Sequence, residues 1–103
     1  RISGADMNPY LAYSALIGAG LYGIDNKIPL SDELVGNAYE QDSITRIPSS
    51  LHEAILQWKN SEVVTEVLGE DVANHYLEAA QSEQNDFDSY VTTWERSRYF
   101  EQS

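Results

Sequence analysis

Between Asn8 and Gly23 the chain reads Asn-Pro-Tyr-Leu-Ala-Tyr-Ser-Ala-Leu-Ile-Gly-Ala-Gly-Leu-Tyr-Gly, and no other stretch limits its fold so strongly. Asn8 is a natural N-cap, because its side-chain oxygen accepts from free backbone N–H groups. Pro9 suits the first helical turn, where a missing N–H costs nothing. The pattern predicts a helix from Pro9 to about Tyr22, with Gly23 as the C-cap. Leu11, Ala15, Gly18 and Tyr22 fall on one stripe of it. Ala12, Leu16 and Ala19 fall on the next, and Tyr10, Tyr13, Ile17 and Leu21 cover much of the rest. Apart from Ser14 no polar face exists. A helix that is apolar all round belongs in an interior. A chain of 103 residues has little material with which to surround one. The helix therefore predicts neighbours from outside this sequence.

Composition narrows the function. Hydrophobic residues make up 42% of the chain, enough for a folded core rather than disorder. Seventeen acidic side chains against six basic ones give a net charge of −11. That balance opposes nucleic acid, whose binding needs cations to neutralise phosphates. It opposes anionic membrane surfaces as well. With no cysteine there is no disulfide framework, thiol chemistry or Cys-based zinc site. The Tyr10–Ile24 run is shorter than a bilayer span and carries three glycines, and no signal-peptide pattern is visible. A cytoplasmic location is expected.

Downstream, residues 25–48 read as a long irregular segment punctuated by Pro29, Gly36 and Pro48. Segments of this kind usually carry function or pack on a partner. Ser50-Leu-His-Glu53 is a capping box, with Ser50 capping and Glu53 reaching back. Leu51, Ala54, Ile55 and Trp58 then follow at i, i+3, i+4 and i+7, the mark of an amphipathic helix. Asn60-Ser61 ends it. A short helix Glu62–Leu68 stops at Gly69. Glu70 and Asp71 suit the positive end of a further helix, which carries Val72, Tyr76, Ala79, Ala80, Phe87, Tyr90 and Val91 on one expected face. Thr92-Thr-Trp-Glu95 is a second capping box, opening a last helix over Trp94–Phe100. The fold class is mainly α, with a strand residue or two expected around Arg1–Ser3.

Arg1-Ile-Ser-Gly-Ala-Asp-Met-Asn8-Pro9-Tyr10-Leu11 resembles a segment of the glutamine synthetase family, within the C-terminal part of the catalytic domain. The resemblance continues through Gly20-Leu21-Tyr22-Gly23-Ile24 and Lys27. It resumes at Ile47-Pro48-Ser49-Ser50-Leu51 with Glu53-Ala54, and ends in Phe87 and Val91-Thr-Thr-Trp-Glu-Arg-Ser-Arg-Tyr99. It implies that residues 1–103 are a helical C-terminal piece of an α+β catalytic domain, whose sheet and N-terminal domain lie outside this sequence. It also implies an ATP-dependent ligase. Such an enzyme joins the side-chain carboxylate of glutamate to ammonia or an amine through a γ-glutamyl phosphate, with Mg or Mn, in a ring of identical subunits. Arg1 matches the arginine that contacts the transferring phosphoryl group or the nearby substrate. A planar, permanently charged fork suits a phosphate that gathers charge during transfer. The metal ligands, the nucleotide site and the acid that receives the ammonium proton fall outside the sequence by the same correspondence. The Gly36–Glu40 and Tyr90–Tyr99 stretches look more like the γ-glutamyl-polyamine ligase branch than the ammonia-using branch.

Alone, the piece is expected to bind no cofactor, to be inactive, and to self-associate as a dimer or larger. Two other readings stand beside the ligase: a free-standing, self-associating interaction module, and a non-enzymatic structural relative of the family. Gly18-Ala-Gly20 lies inside a helix pattern rather than after a strand, so close helix packing is expected there, not phosphate cradling. His52 and His75 lack a paired ligand at i+4 and read as surface histidines. Glu83, Asp86 and Asp88 have neither the spacing nor the glycine of a calcium loop. Trp58 and Trp94 are expected to anchor packing.

Overall fold

A computed structural model describes residues 4–102. Arg1 and the strand expected around it lie outside the described residues. Within them the chain is helical and contains no strand. Five α-helices follow one another: α1 Pro9–Asp25, α2 Leu51–Lys59, α3 Glu62–Leu68, α4 Glu70–Asp88 and α5 Thr93–Gln102. One 3-10 turn, Ala38–Glu40, interrupts the long segment between α1 and α2. None of the described helices is long and apolar enough to cross a membrane.

Local chemistry sets most of the boundaries. Asn8 Oδ1 accepts from the backbone N–H of Tyr10 at 3.0 Å and of Leu11 at 3.3 Å, as its position before Pro9 requires. The far end of α1 differs from expectation, because Gly23 does not cap it. The helix continues to Asp25, and Asn26 caps it, its side-chain amide donating to the Tyr22 carbonyl at 2.9 Å. Lys27 then turns left-handed at φ 51°, and Ile28 N–H reaches back to the Gly23 carbonyl at 2.9 Å. This is a Schellman closure with lysine in the place usually held by glycine.

Ser50 caps α2 as expected, its hydroxyl accepting from Glu53 N–H at 3.2 Å. The return arm is displaced by one residue: the Glu53 carboxylate accepts from Ser49, from its N–H at 2.8 Å and its hydroxyl at 2.9 Å. Two consecutive serines offer two sets of donors, and Glu53 takes the outer one. Gly69 ends α3 and opens α4 at φ 82°, a conformation that glycine adopts without a steric penalty. At α5 both arms of the expected box form, since Glu95 N–H donates to Thr92 Oγ1 at 3.2 Å. The Glu95 carboxylate in turn accepts from Thr92 N–H and hydroxyl, each at 2.8 Å.

The helices pack in sequence: α1 on α3, α3 on α4, and α4 on α2. Gly18 is the close point of the α1–α3 seam. A Cβ built there would run into Val67 Cγ1. Gly20, expected to share that role, faces open space. The half-buried stripe of α1 is the expected one: Leu11, Ala15, Gly18 and Tyr22.

The inward face of α4 matches the expected one only in part. Tyr76 and Ala80 of that face are half-buried, but so is Leu77, and Ala73 is buried, whereas Val72, Ala79 and Phe87 are exposed, as are Tyr90 and Val91 beyond the helix end. Trp58 joins the Ala73 side of α4 to α2: its indole N–H donates to the Ala73 carbonyl at 3.0 Å. Trp94 does not anchor packing as expected. It stays 68% exposed, with only the Arg98 guanidinium, 5.6 Å from its ring centroid, recorded over its face. Among the described residues only Ile55 and Ala73 are buried, and each keeps a little exposure.

Candidate functional site

The approach to α1 is the part of the chain nearest to expected chemistry. Residues 5–7 form a turn and bend, and Asn8 then fixes the first turn of the helix through both of its accepted N–H bonds. The direction in which the preceding chain enters is thereby tied to a rigid element. Arg1, the single expected catalytic residue, lies outside the described residues.

The remaining candidates do not converge. His52 and His75 are exposed on different helices, and His75 meets Tyr76 edge to face at 5.3 Å. Glu83, Asp86 and Asp88 are exposed on α4, where Gln84 donates to Asp88 at 2.8 Å. Among the described residues no group of three or more His, Asp or Glu side chains is placed to hold a metal ion. Glu53 and Glu95 both titrate below the ordinary carboxylate range. In each case the main cause is the accepted backbone N–H, from Ser49 and from Thr92 respectively. Helix capping accounts for both shifts, so neither marks a reactive carboxylate.

Sequence reasoning missed an apolar hollow of about 230 Å³ where α1, α2 and α4 approach one another. Leu11, Leu51, Ile55, Trp58, Tyr76 and Leu77 are among the residues that line it. The Leu51, Ile55 and Trp58 spacing marked one wall, but nothing local marked Leu11 as the opposite one.

The largest feature is a surface rather than a pocket. Tyr10, Tyr13, Ile17, Leu21 and Ile24 form a bulky row on α1, each at least half exposed. The chain exposes 9340 Å², where a folded monomer of its mass is expected to expose about 5,800 Å². Its radius of gyration is 18.0 Å, against about 13 Å for an independent domain of this length. These helices pack on one another through narrow stripes and present broad apolar faces outward.

Comparison with known proteins identifies the domain. The chain belongs to the glutamine synthetase catalytic domain family, whose pattern it matches over residues 1–99. It is 42% identical over 101 residues to a gamma-glutamylethanolamide synthetase of Streptomyces coelicolor, covering 98% of this chain and 22% of that protein. It is 37% identical over 103 residues to a glutamate–isopropylamine ligase of a Pseudomonas species, with 98% and 22% covered. To a glutamine synthetase of Thermotoga maritima it is 38% identical over 99 residues, with 89% and 23% covered. The chain thus spans about a fifth of the length of the curated relatives it matches.

Proposed function

We propose that this chain is the helical closing part of a cytoplasmic, ring-forming ligase that joins the side-chain carboxylate of glutamate to an amine. In the reaction a glutamate carboxylate oxygen attacks the γ-phosphorus of ATP and ADP departs. The amine nitrogen then attacks the acyl carbon of γ-glutamyl phosphate, phosphate leaves, and the nitrogen gives up a proton. Arg1 is this chain's contribution. A guanidinium at that position of the family motif suits the phosphoryl oxygens, because its planar fork and fixed charge offset the charge that grows on them during transfer. The α1 helix, capped by Asn8, gives the segment that follows Arg1 a rigid anchor. By the same family correspondence, the Mg or Mn expected of such a ligase falls to other parts of the protein.

The family match over residues 1–99 carries this reading. Preference for an amine over ammonia is supported by the 42% identity to an ethanolamide-forming relative. Ammonia is the second reading, favoured by the 38% identity to a glutamine synthetase.

The test is phosphate release by the full protein with glutamate, ATP and either ammonium or a primary amine. Arg1→Lys keeps the charge but loses the planar fork. It should lower kcat by about 10²-fold or more, with a smaller change in the KM for glutamate. An unchanged kcat would remove Arg1 from the chemistry. A higher kcat/KM for ammonium than for ethanolamine or a polyamine would assign the protein to the ammonia-using branch. Residues 1–103 alone should release no phosphate; release by them would overturn the dependence on the rest of the protein.

A further inference from the structure

We propose that Ser49 is a phosphorylation site, and that its phosphate draws the Arg46 guanidinium off the Tyr39 carbonyl and so frees the loop that Arg46 closes. In the transfer, Ser49 Oγ attacks the γ-phosphorus of ATP bound to a protein kinase. The bond to ADP breaks, and the hydroxyl proton passes to the kinase's catalytic carboxylate.

Sequence and exposure single out this hydroxyl. Arg46 stands three residues before Ser49, and no other serine or threonine of the chain has a basic residue at that spacing. Kinases choose substrates by charge pattern, so the guanidinium suits an arginine-directed enzyme. Residues 45–48 carry no helix or strand, and Thr45, Arg46, Ile47 and Ser49 are exposed. A kinase can grip this segment without melting a helix. The Ser49 hydroxyl donates to the Glu53 carboxylate at 2.9 Å, an exposed bond that costs little to give up. The cap of α2 survives its loss, because the oxygen that accepts from Glu53 N–H belongs to Ser50.

Charge then does the switching. Arg46 Nη2 donates to the Tyr39 carbonyl at 3.1 Å, its one recorded partner among the described residues, and clasps residues 39–46 into a ring. The other recorded bonds of the loop, from Asn37 to Glu40 at 3.0 Å and from Gln41 to the Val35 carbonyl at 2.9 Å, reach no further than Gln41. Arg46, Ser49 and Glu53 line one open recess of about 410 Å³. A phosphate on Ser49 thus arises between a cation and a carboxylate, carrying about −1.5 to −2 charge. It repels Glu53 and attracts Arg46. A bidentate guanidinium–phosphate pair outweighs one bond to a neutral carbonyl. Arg46 turns to the phosphate, and residues 39–46 lose their clasp.

The test incubates the full, folded protein with ATP and an arginine-directed serine/threonine kinase and maps phosphate by mass spectrometry. Phosphate is expected on Ser49. Ser49→Ala should abolish it, and Arg46→Gln should slow its arrival by about 10-fold or more. Amide exchange over residues 39–46 should run about 10-fold faster in the phosphorylated protein than in the unmodified one. Phosphorus NMR reads the new pair directly. Arg46 should lower the second ionisation of the phosphate below its ordinary value of about 6, and Arg46→Gln should restore that value. Phosphate that reaches Ser49 only after urea treatment, or settles on other residues instead, would overturn the site. Phosphate on Ser49 with either unchanged exchange or an ordinary ionisation would overturn the switch.

Discussion

Gly18 and Gly20 stand two residues apart in one helix and do different work. At Gly18 the absence of a Cβ lets α1 approach Val67, while nothing lies within 4 Å of a Cβ built at Gly20. Gly18→Ala should destabilise the protein by about 1–2 kcal/mol, since overpacking outweighs the helix propensity that alanine restores. Val67 cannot yield easily, because a β-branched side chain in a helix holds one χ1 rotamer. Gly20→Ala should be neutral or stabilising by up to about 1 kcal/mol. Urea unfolding midpoints of the two variants should move in opposite directions. Adding Val67→Ala to Gly18→Ala should recover part of the loss, and strict additivity of the two changes would show that the contact is not made.

At the scale of the helices, the starts were legible because capping is local. Asn8, Ser50, Ser61 and Thr92 each hold an oxygen that accepts from the first turn of its helix. Ends and faces were harder. Lysine in a left-handed closure gives no sequence signal of the kind glycine gives. The inward side of α4 turned on Val72 against Ala73 and on which side of Tyr76 the helix packs; all of these are apolar neighbours. The long-range bond from Trp58 to the Ala73 carbonyl lies on the side that packs, and no local pattern announces it.

The cap of α2 also makes a pH prediction. Its native hydrogen bonds hold Glu53 below its ordinary value, so the unfolded chain binds a proton more readily than the folded one. The stabilisation is complete above the unfolded value of about 4.3 and fades as pH falls through the lower, folded one. Glu53→Gln should remove this part of the acid sensitivity, seen as a shallower loss of stability below about pH 4 in urea titrations, with little change in slope near neutrality. Equal slopes in both proteins would show that Ser49 does not hold the carboxylate in solution.

For the whole molecule, surface dominates. Residues 1–103 purified alone should sediment as a dimer or larger species, because the α1 row has no cover of its own. Association should strengthen between about 0.01 M and 0.15 M salt, as the Debye length shrinks from ~30 Å to ~8 Å and repulsion between the −11 charges is screened. A compact monomer at every salt concentration would mean that the helices close over the row themselves. The apolar surface that α1 leaves exposed was legible in the Pro9–Tyr22 pattern. The identity of the chemistry was legible only through Arg1 and the motifs around it, because the described residues bring no reactive groups together.

The α1–α3 seam has a historical consequence. A bump at position 18 is admissible only after a recess has opened at position 67, and a recess at 67 invites a bump at 18. Over long divergence the two positions should drift as a pair, while Gly20 wanders freely beside them.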